Sequence, residues 1–278
     1  MDNTAQIKAM AAAYEEFEAP PSNPSTSGGK EWYPDLNETQ EKLFEDNSKF
    51  ILAYGEKGSG KTLGLLFKLV RHCYENQNAL SLIVSPSIRT GKEGVLHDLE
   101  TLVLPQWKVG MGLEYTPSKL DPNTKDRHLW IGNRFNGWSK VLLVSIPYAD
   151  AVEPRIKGIS PSFIYVDELT NCNGREYFIY PAAQLNRRPN IMGPQQYTAS
   201  CNPEGPSNWV YRTFFEDCVD EDTGKRDKDF SVYHVPIQEN VHRLPEVYVE
   251  SLRQILKHDL VEQRRLLEGE WVDRPTGE

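Results

Sequence analysis

Apolar and polar residues alternate in blocks from Trp32 onward. The run Phe50 to Tyr54 (FILAY) has the length of a buried strand, and after a Gly-rich turn the stretch from Lys61 to about Asn76 repeats leucine and valine at helical spacing. A second strand is expected at Leu80 to Ser85 and a second helix from about Lys92 to Leu102. Strand and helix in alternation with short loops predict an α/β fold, a mainly parallel sheet flanked by helices. Leu129 to Ile146 has another texture: LWIG and KVLLVSI on either side of the turn at Gly132 to Gly137 predict a hairpin, an antiparallel extension leading into or lying beside that sheet. Phe163 to Val166 and Gln196 to Ser200 read as further buried strands. Beyond Pro206 the pattern turns helical and charged, with an acidic turn at Asp217 to Lys228, and there are no internal repeats. Ahead of Trp32, a short Ala-rich helix over roughly Thr4 to Phe17 gives way to PPSNPSTSGGK at Pro20 to Lys30, which cannot bury apolar area and reads as a linker.

Composition narrows the classes. The 278 residues suffice for one large domain or two modest ones, and 38% hydrophobic with 26% charged residues is the balance of an ordinary soluble chain. Apolar runs are strand-sized, none approaching the roughly 20 residues that cross a bilayer, so no membrane partner is expected. Met1 to Pro20 lacks the basic-then-apolar order of a secretory signal. Cys73, Cys172, Cys201 and Cys218 have no C-x-x-C spacing and imply neither zinc nor a disulfide framework, which suits a reducing cytoplasm. A formal charge of -9 excludes a strongly basic nucleic-acid module, so any DNA contact must be local.

The strongest local chemistry is Gly55-Glu56-Lys57-Gly58-Ser59-Gly60-Lys61-Thr62, which fits G-x-x-x-x-G-K-[ST] between a strand and a helix. Such a loop turns its backbone N–H groups and the helix N-terminus toward phosphate oxygens; Lys61 reaches the β- and γ-phosphates, and the Thr62 hydroxyl ligates Mg²⁺. The second signal is Phe163-Ile164-Tyr165-Val166-Asp167-Glu168, a buried strand ending in two carboxylates at the edge where ligands of open α/β sheets lie. Asp167 is expected to hold Mg²⁺ through water, and Glu168 to orient and polarise the attacking water as general base. The third is Thr198 to Gly205 (TASCNPEG), which would bring Ser200 and Asn202 to the γ-phosphate side, where a hydroxyl or amide tells ATP from ADP; an Asn-Pro turn is the plainer reading. Gln40, in a short helix about fifteen residues before Gly55, is either an adenine reader or an exposed helical glutamine. Arg155, twelve positions before Asp167, is either a surface charge or an arginine finger.

The order GEKGSGKT, PRIKGIS, FIYVDE, TASCNPEGPSNWVYRTFF and LVEQRRLLEGEW resembles the ATPase domain of tailed-phage terminase large subunits, over about Trp32 to Asp273. The phosphate loop and the DE pair are common to many ATPases. Asn202-Pro203 with Trp209 and Phe214, and the closing Leu266 to Trp271, are more specific. The resemblance implies a P-loop NTPase in which Gln40 reads adenine, Lys61 and Thr62 hold phosphate and metal, Asp167 and Glu168 are the acidic pair, Ser200 to Asn202 couple hydrolysis to movement, Arg155 acts on a neighbour's site, and Pro206 to Trp271 form a lid. It further implies ATP and Mg²⁺ as cofactors, with double-stranded DNA, a portal protein and a terminase small subunit as partners. The expected assembly is a homo-oligomeric ring on the procapsid in the host cytoplasm, with the free chain a monomer.

Three segments are therefore expected: a flexible tail over 1–30, a P-loop core over 31–206, and a lid with linker over 207–278. Members of that family continue into an RNase H-like nuclease, for which no room follows Glu278, so the nuclease is expected to be excised or to reside in another chain. Two other functions share some of these motifs, a helicase-like DNA-stimulated ATPase and a nucleotide-gated adaptor without turnover. Arg89, Lys92, Arg134 and Lys140 are either DNA contacts or a solvated charged face.

Overall fold

The structure, a computed structural model, describes residues 32–275. The tail expected over 1–30, with its helix, lies outside the described residues. Besides a short helix at residues 209–216 and several 3-10 turns, the helices used below are α1 (Glu38–Glu45), α2 (Lys61–Glu75), α3 (residues 88–111), α4 (Val152–Ile156), α5 (Glu176–Ala182), α6 (Tyr248–Leu256) and α7 (Leu260–Leu267). The strands are β1 (Phe50–Tyr54), β2 (Leu80–Ser85), β3 (Lys119–Leu120), β4 (Arg127–Gly132), β5 (Trp138–Ser145), β6 (Phe163–Val166), β7 (Gln196–Cys201) and β8 (Phe230–His234).

All eight strands form one sheet in the order β3-β4-β5-β2-β6-β7-β1-β8. Pairing is parallel from β5 through β8 and antiparallel at β3-β4 and β4-β5. This is the mainly parallel α/β sheet with the antiparallel extension expected from the sequence. Both faces of the central strands are covered, which is why they read as continuous apolar runs rather than alternating ones. Successive residues still point to opposite faces: Ile51 and Ala53, with Phe163 and Tyr165, pack into one apolar cluster, while Leu52, Ile164 and Val166 pack into the other. The first cluster is closed by α1, α2 and α3 through Leu43, Leu66, Leu69 and Val103, the second by α4 and α5 through Ile156, Tyr177 and Phe178.

Local chemistry sets the helix ends. Asn37 and Gln40 make a reciprocal capping box at the start of α1. Gly60, at φ 88°, opens α2 in a left-handed conformation that favours glycine. The helix expected over Lys92 to Leu102 is longer: α3 is a composite that begins at the Ser87 cap, passes through π-helical turns at Gly91–Leu96 and Leu99–Val103, and ends at Gly112. Pro105 does not stop it, because it falls in the first turn of the last α segment, where its missing N–H costs little.

The boundary expected at 206/207 runs through the sheet. Although α6 and α7 form a half-exposed helical hairpin, as a lid would, the same C-terminal stretch supplies β8, which pairs in parallel with β1 from Phe50↔Phe230 to Tyr54↔His234. The stretch after Pro206 thus contributes an edge strand, made possible by FSVYH between polar turns. Among the described residues no helix is long and apolar enough to cross a membrane.

Candidate active site

Three neighbouring strands deliver the site. β6, β7 and β1 lie side by side in parallel with Val166 opposite Ala199 and Tyr54 opposite Cys201, so the residues that leave their carboxyl ends converge: Asp167 and Glu168 from β6, Asn202 from β7, the loop Gly55 to Thr62 from β1. A cleft of about 520 Å³ opens there, with Lys57, Gly58, Gly60, Lys61, Thr62, Glu168, Ser200 and Asn202 in its wall.

The Gly55–Thr62 loop is held on its outer side by the C-terminal stretch. Gly55, at φ 152°, leaves room for the Val235 carbonyl, which a Cβ would meet at 2.3 Å. Glu56 is buried and faces away from the cleft: one carboxylate oxygen lies 3.3 Å from His234 Nε2 and the other accepts the Ile237 N–H at 3.2 Å. The Lys57 N–H donates to the Leu266 carbonyl (3.2 Å), and Asn240 Nδ2 donates to the Gly58 carbonyl (2.7 Å). Of the residues expected to bind nucleotide, Glu56 therefore contributes backbone only, its side chain fastening the loop to the end of β8 and to Ile237 just beyond it.

Lys61 is buried. Its ammonium donates to the carbonyls of Gly55 (3.1 Å) and Glu56 (2.8 Å), to Ser59 Oγ (3.3 Å) and to Asn202 Oδ1 (3.1 Å). Burial holds its pKa below the ordinary lysine value, with the charge of Glu168 the largest influence opposing that. Asn202 uses its other amide atom on the acid: Nδ2 stands 3.4 Å from Glu168 Oε2, so one side chain bridges the loop lysine and the carboxylate.

Glu168 has φ 51°, uncommon for a non-glycine residue and of the kind that gathers at functional sites. Burial and then the neighbouring Asp167 charge raise its pKa, against the pull of Lys61. Asp167, buried at the strand end, accepts from Tyr165 Oη (2.7 Å) and Ser200 Oγ (3.0 Å), both on Oδ1. Burial raises its pKa, and those two hydrogen bonds counter the rise. The Tyr165 hydroxyl also lies 2.9 Å from Ser200 Oγ and is hydrogen-bonded to the Thr62 side chain, so Thr62, Tyr165, Asp167 and Ser200 form one polar knot beneath the cleft. Tyr165 carried no chemical signal in the sequence, where it reads as one apolar residue of FIYV.

Two expected site residues stand elsewhere. Gln40 is 0% exposed: Nε2 donates to the Gly60 carbonyl (2.9 Å), while Oε1 accepts from the Asn37 N–H (3.0 Å) and Arg243 (3.3 Å). It ties α1 to the phosphate loop and is not the exposed helical glutamine of the plainer reading. Arg155, on α4, does not line the cleft; it is ion-paired with buried Asp126 just ahead of β4, second from the sheet edge opposite to β1. In this arrangement it stands away from its own chain's cleft. The four cations guessed for DNA share no single surface. Arg89 and Lys92 follow the carboxyl end of β2, with Arg89 paired to Glu93, whereas Arg134 and Lys140 lie at the amino end of β5, with Lys140 over the Trp130 ring.

Residues 53–278 match the family described as terminase large subunit, T4likevirus-type, N-terminal. No curated protein matches the chain. Among solved structures, the large terminase of a thermophilic bacteriophage in complex with ADP aligns at TM-score 0.64 with 18% identity, covering 85% of this chain and 53% of that one. The ATPase domain of the Thermus phage P74-26 large terminase aligns at TM-score 0.60 with 16% identity, covering 87% and 95%. The chain thus spans about half the length of the ADP-bound terminase and nearly all of the P74-26 domain, and at these identities the likeness is one of fold.

Proposed function

Because the chain belongs to the T4likevirus-type terminase large subunit family, in its N-terminal part, we propose that it binds ATP on the Gly55–Thr62 loop, hydrolyses it through Glu168, and couples hydrolysis to moving double-stranded DNA into a procapsid. The observation that carries the reading is the Asn202 bridge, with its amide oxygen on Lys61 and its amide nitrogen facing Glu168. A phosphate sensor must touch both the group that holds the γ-phosphate and the group that activates water, and this side chain touches both.

The residues fit a divalent cation. Thr62 and Asp167 share the Tyr165 hydroxyl as a hydrogen-bond partner, which sets one hydroxyl and one carboxylate side by side, a hard-oxygen donor set. Among the described residues no three His, Cys, Asp or Glu side chains are grouped to hold a metal, and phosphate oxygens and water would supply the other ligands, as is usual for Mg²⁺. The ion, when bound, neutralises charge on the phosphates. The protein's own part is positioning. Lys61 exchanges its carbonyl partners for phosphate oxygens, the loop amides and the α2 N-terminus cradle the phosphates, and Glu168 takes a proton from the attacking water. The Asn202 amide, released from Lys61 when that ammonium turns to phosphate, carries the change of occupancy to β7 and onward.

The DNA-moving step extends the reading to the assembled machine: a ring of copies on a portal protein, supplied with DNA by a terminase small subunit, in the host cytoplasm. Arg155 is then the finger each copy lends its neighbour, in keeping with its position away from its own cleft. Steady-state phosphate release with and without linear duplex DNA tests the function. A basal rate that DNA and assembly stimulate supports it. Binding without turnover is the result for an adaptor, and stimulation by single strands with unwinding is the result for a helicase; either one overturns it.

A further inference from the structure

Gln40 holds the phosphate loop at Gly60, and the cleft offers a nucleoside a second amide. A triphosphate whose γ-phosphate faces Glu168 extends its nucleoside away from that carboxylate, toward the rest of the cleft wall, which includes Leu63, Asn240, Arg243 and Leu244 and, from α3, Leu102 and Gln106. The three leucines are apolar and offer faces to a flat ring. Arg243 is braced: its guanidinium donates to the Asp35 carbonyl (2.9 Å) and pairs with the Asp35 carboxylate (3.0 Å) and with Gln40 Oε1 (3.3 Å).

Asn240 differs from the others. It is 7% exposed, its Nδ2 is committed to the Gly58 carbonyl, and its Oδ1 is buried with no hydrogen-bond partner. Flipping the amide would not mend this, because Oδ1 would then face the Gly58 carbonyl, acceptor against acceptor. A buried acceptor without a donor is costly, and one left in a ligand cleft marks a place where the ligand brings the donor. Resting on the nucleotide reading of this cleft, we propose that Asn240 is its specificity-determining residue, with Oδ1 accepting from the 6-amino group of adenine. A 6-oxo purine sets a second acceptor against the same oxygen and is disfavoured. The residue reaches the site from the stretch after β8, so the segment that braces the phosphate loop at Gly58 also reads the base.

Equilibrium binding of Mg·ATP, Mg·ITP and inorganic tripolyphosphate to the wild-type chain and to Asn240→Ala tests this. ITP carries oxygen where ATP carries the amino group, and tripolyphosphate has no nucleoside. The expected wild type prefers ATP to ITP by about tenfold or more; in Asn240→Ala, which also frees the Gly58 carbonyl, all three ligands share the loss from the loop and ATP weakens by about tenfold beyond it, so the preference collapses toward one. Equal weakening of all three ligands in the variant means that Asn240 only braces Gly58, and overturns the assignment. So does a wild type without preference between ATP and ITP, or a preference for ATP over dATP that Asn240→Ala abolishes, which would place the ribose on Oδ1. A wild type that binds none of the three overturns the nucleotide reading itself, a failure distinct from the others.

Discussion

Replacing Tyr165 with Phe removes one oxygen atom from the centre of the polar knot under the cleft. The ring is fully buried in the apolar cluster on the α2 side of the sheet and is kept by the substitution, so packing is conserved. The variant loses the donor to Asp167 Oδ1 at 2.7 Å and the contact to Ser200 Oγ at 2.9 Å. A hydrogen bond to a buried carboxylate contributes about 1.5–3 kcal/mol, and Ser200 retains its own bond to the same oxygen, so a stability loss of about 2 kcal/mol is expected. The carboxylate, positioned by one donor instead of two, is a poorer partner for a divalent cation, by roughly tenfold, the lower end of what outer partners of metal ligands contribute. Calorimetric titration of ATP with Mg²⁺ and with EDTA, beside urea unfolding, reads both effects. The expected result is a lower unfolding midpoint, a roughly tenfold loss of ATP affinity with Mg²⁺, and unchanged affinity without it. Equal affinity loss in both conditions, or none, would refute the role of Tyr165 in setting Asp167, whatever the stability change.

Gln40→Ala should weaken ATP and inorganic tripolyphosphate together, because it frees Gly60 and undoes the α1 cap; loss of ATP binding alone, in a calorimetric comparison, would make Gln40 an adenine reader instead. Arg155→Ala and Glu168→Gln chains, each nearly inactive alone, should regain phosphate release when mixed under assembling conditions, since one lends the finger and the other the intact acid; no recovery in mixed assemblies verified by light scattering would sink the trans assignment. His72 is buried on α2 with its Nε2 2.9 Å from Ser162 Oγ, and burial, with Lys68 adding, pushes its imidazole down to about 4 from 6.5. The unfolded chain therefore takes up the proton first as pH falls, and stability is lost between about pH 6.5 and 4, by up to about 3 kcal/mol. His72→Gln should flatten that part of the urea-unfolding profile against pH, and an unchanged slope would contradict the burial argument.

The legible parts of the chain were those whose physics is local. Phe50–Tyr54, Leu80–Ser85 and Phe163–Val166 are apolar runs bounded by turn residues, and they fold as the strands expected. The phosphate loop, the DE pair and Asn202 were legible because strand ends in a parallel sheet bring adjacent carboxyl edges together, whatever lies between them in sequence. β8 was not, since FSVYH is only half-buried at the sheet edge and sits in charged surroundings; its strand character comes from the open edge of β1. The tie from Gln40 to the loop was not legible, because its partner, the Gly60 carbonyl, becomes available only once α1 packs beside the loop. Asn240 and Arg243 had no local signal at all: their contacts are to Gly58, Asp35 and Gln40, about two hundred residues upstream, and nothing in ENVHRLP announces them.

The most direct test of the proposed ATPase compares equilibrium ATP binding with phosphate release in the wild-type chain, Glu168→Gln and Lys61→Ala. Glu168→Gln is isosteric, keeps one side-chain oxygen to face Asn202 Nδ2, and removes the carboxylate that accepts the proton from water. Binding should therefore stay within a few-fold of wild type while phosphate release falls by roughly 10²–10⁴, the usual contribution of a positioned general base. Lys61→Ala should lose the binding itself. A Glu168→Gln chain that hydrolyses ATP at the wild-type rate, or that loses ATP binding as badly as Lys61→Ala, would contradict the assignment of Glu168 as the water-activating base of a phosphate-loop ATPase.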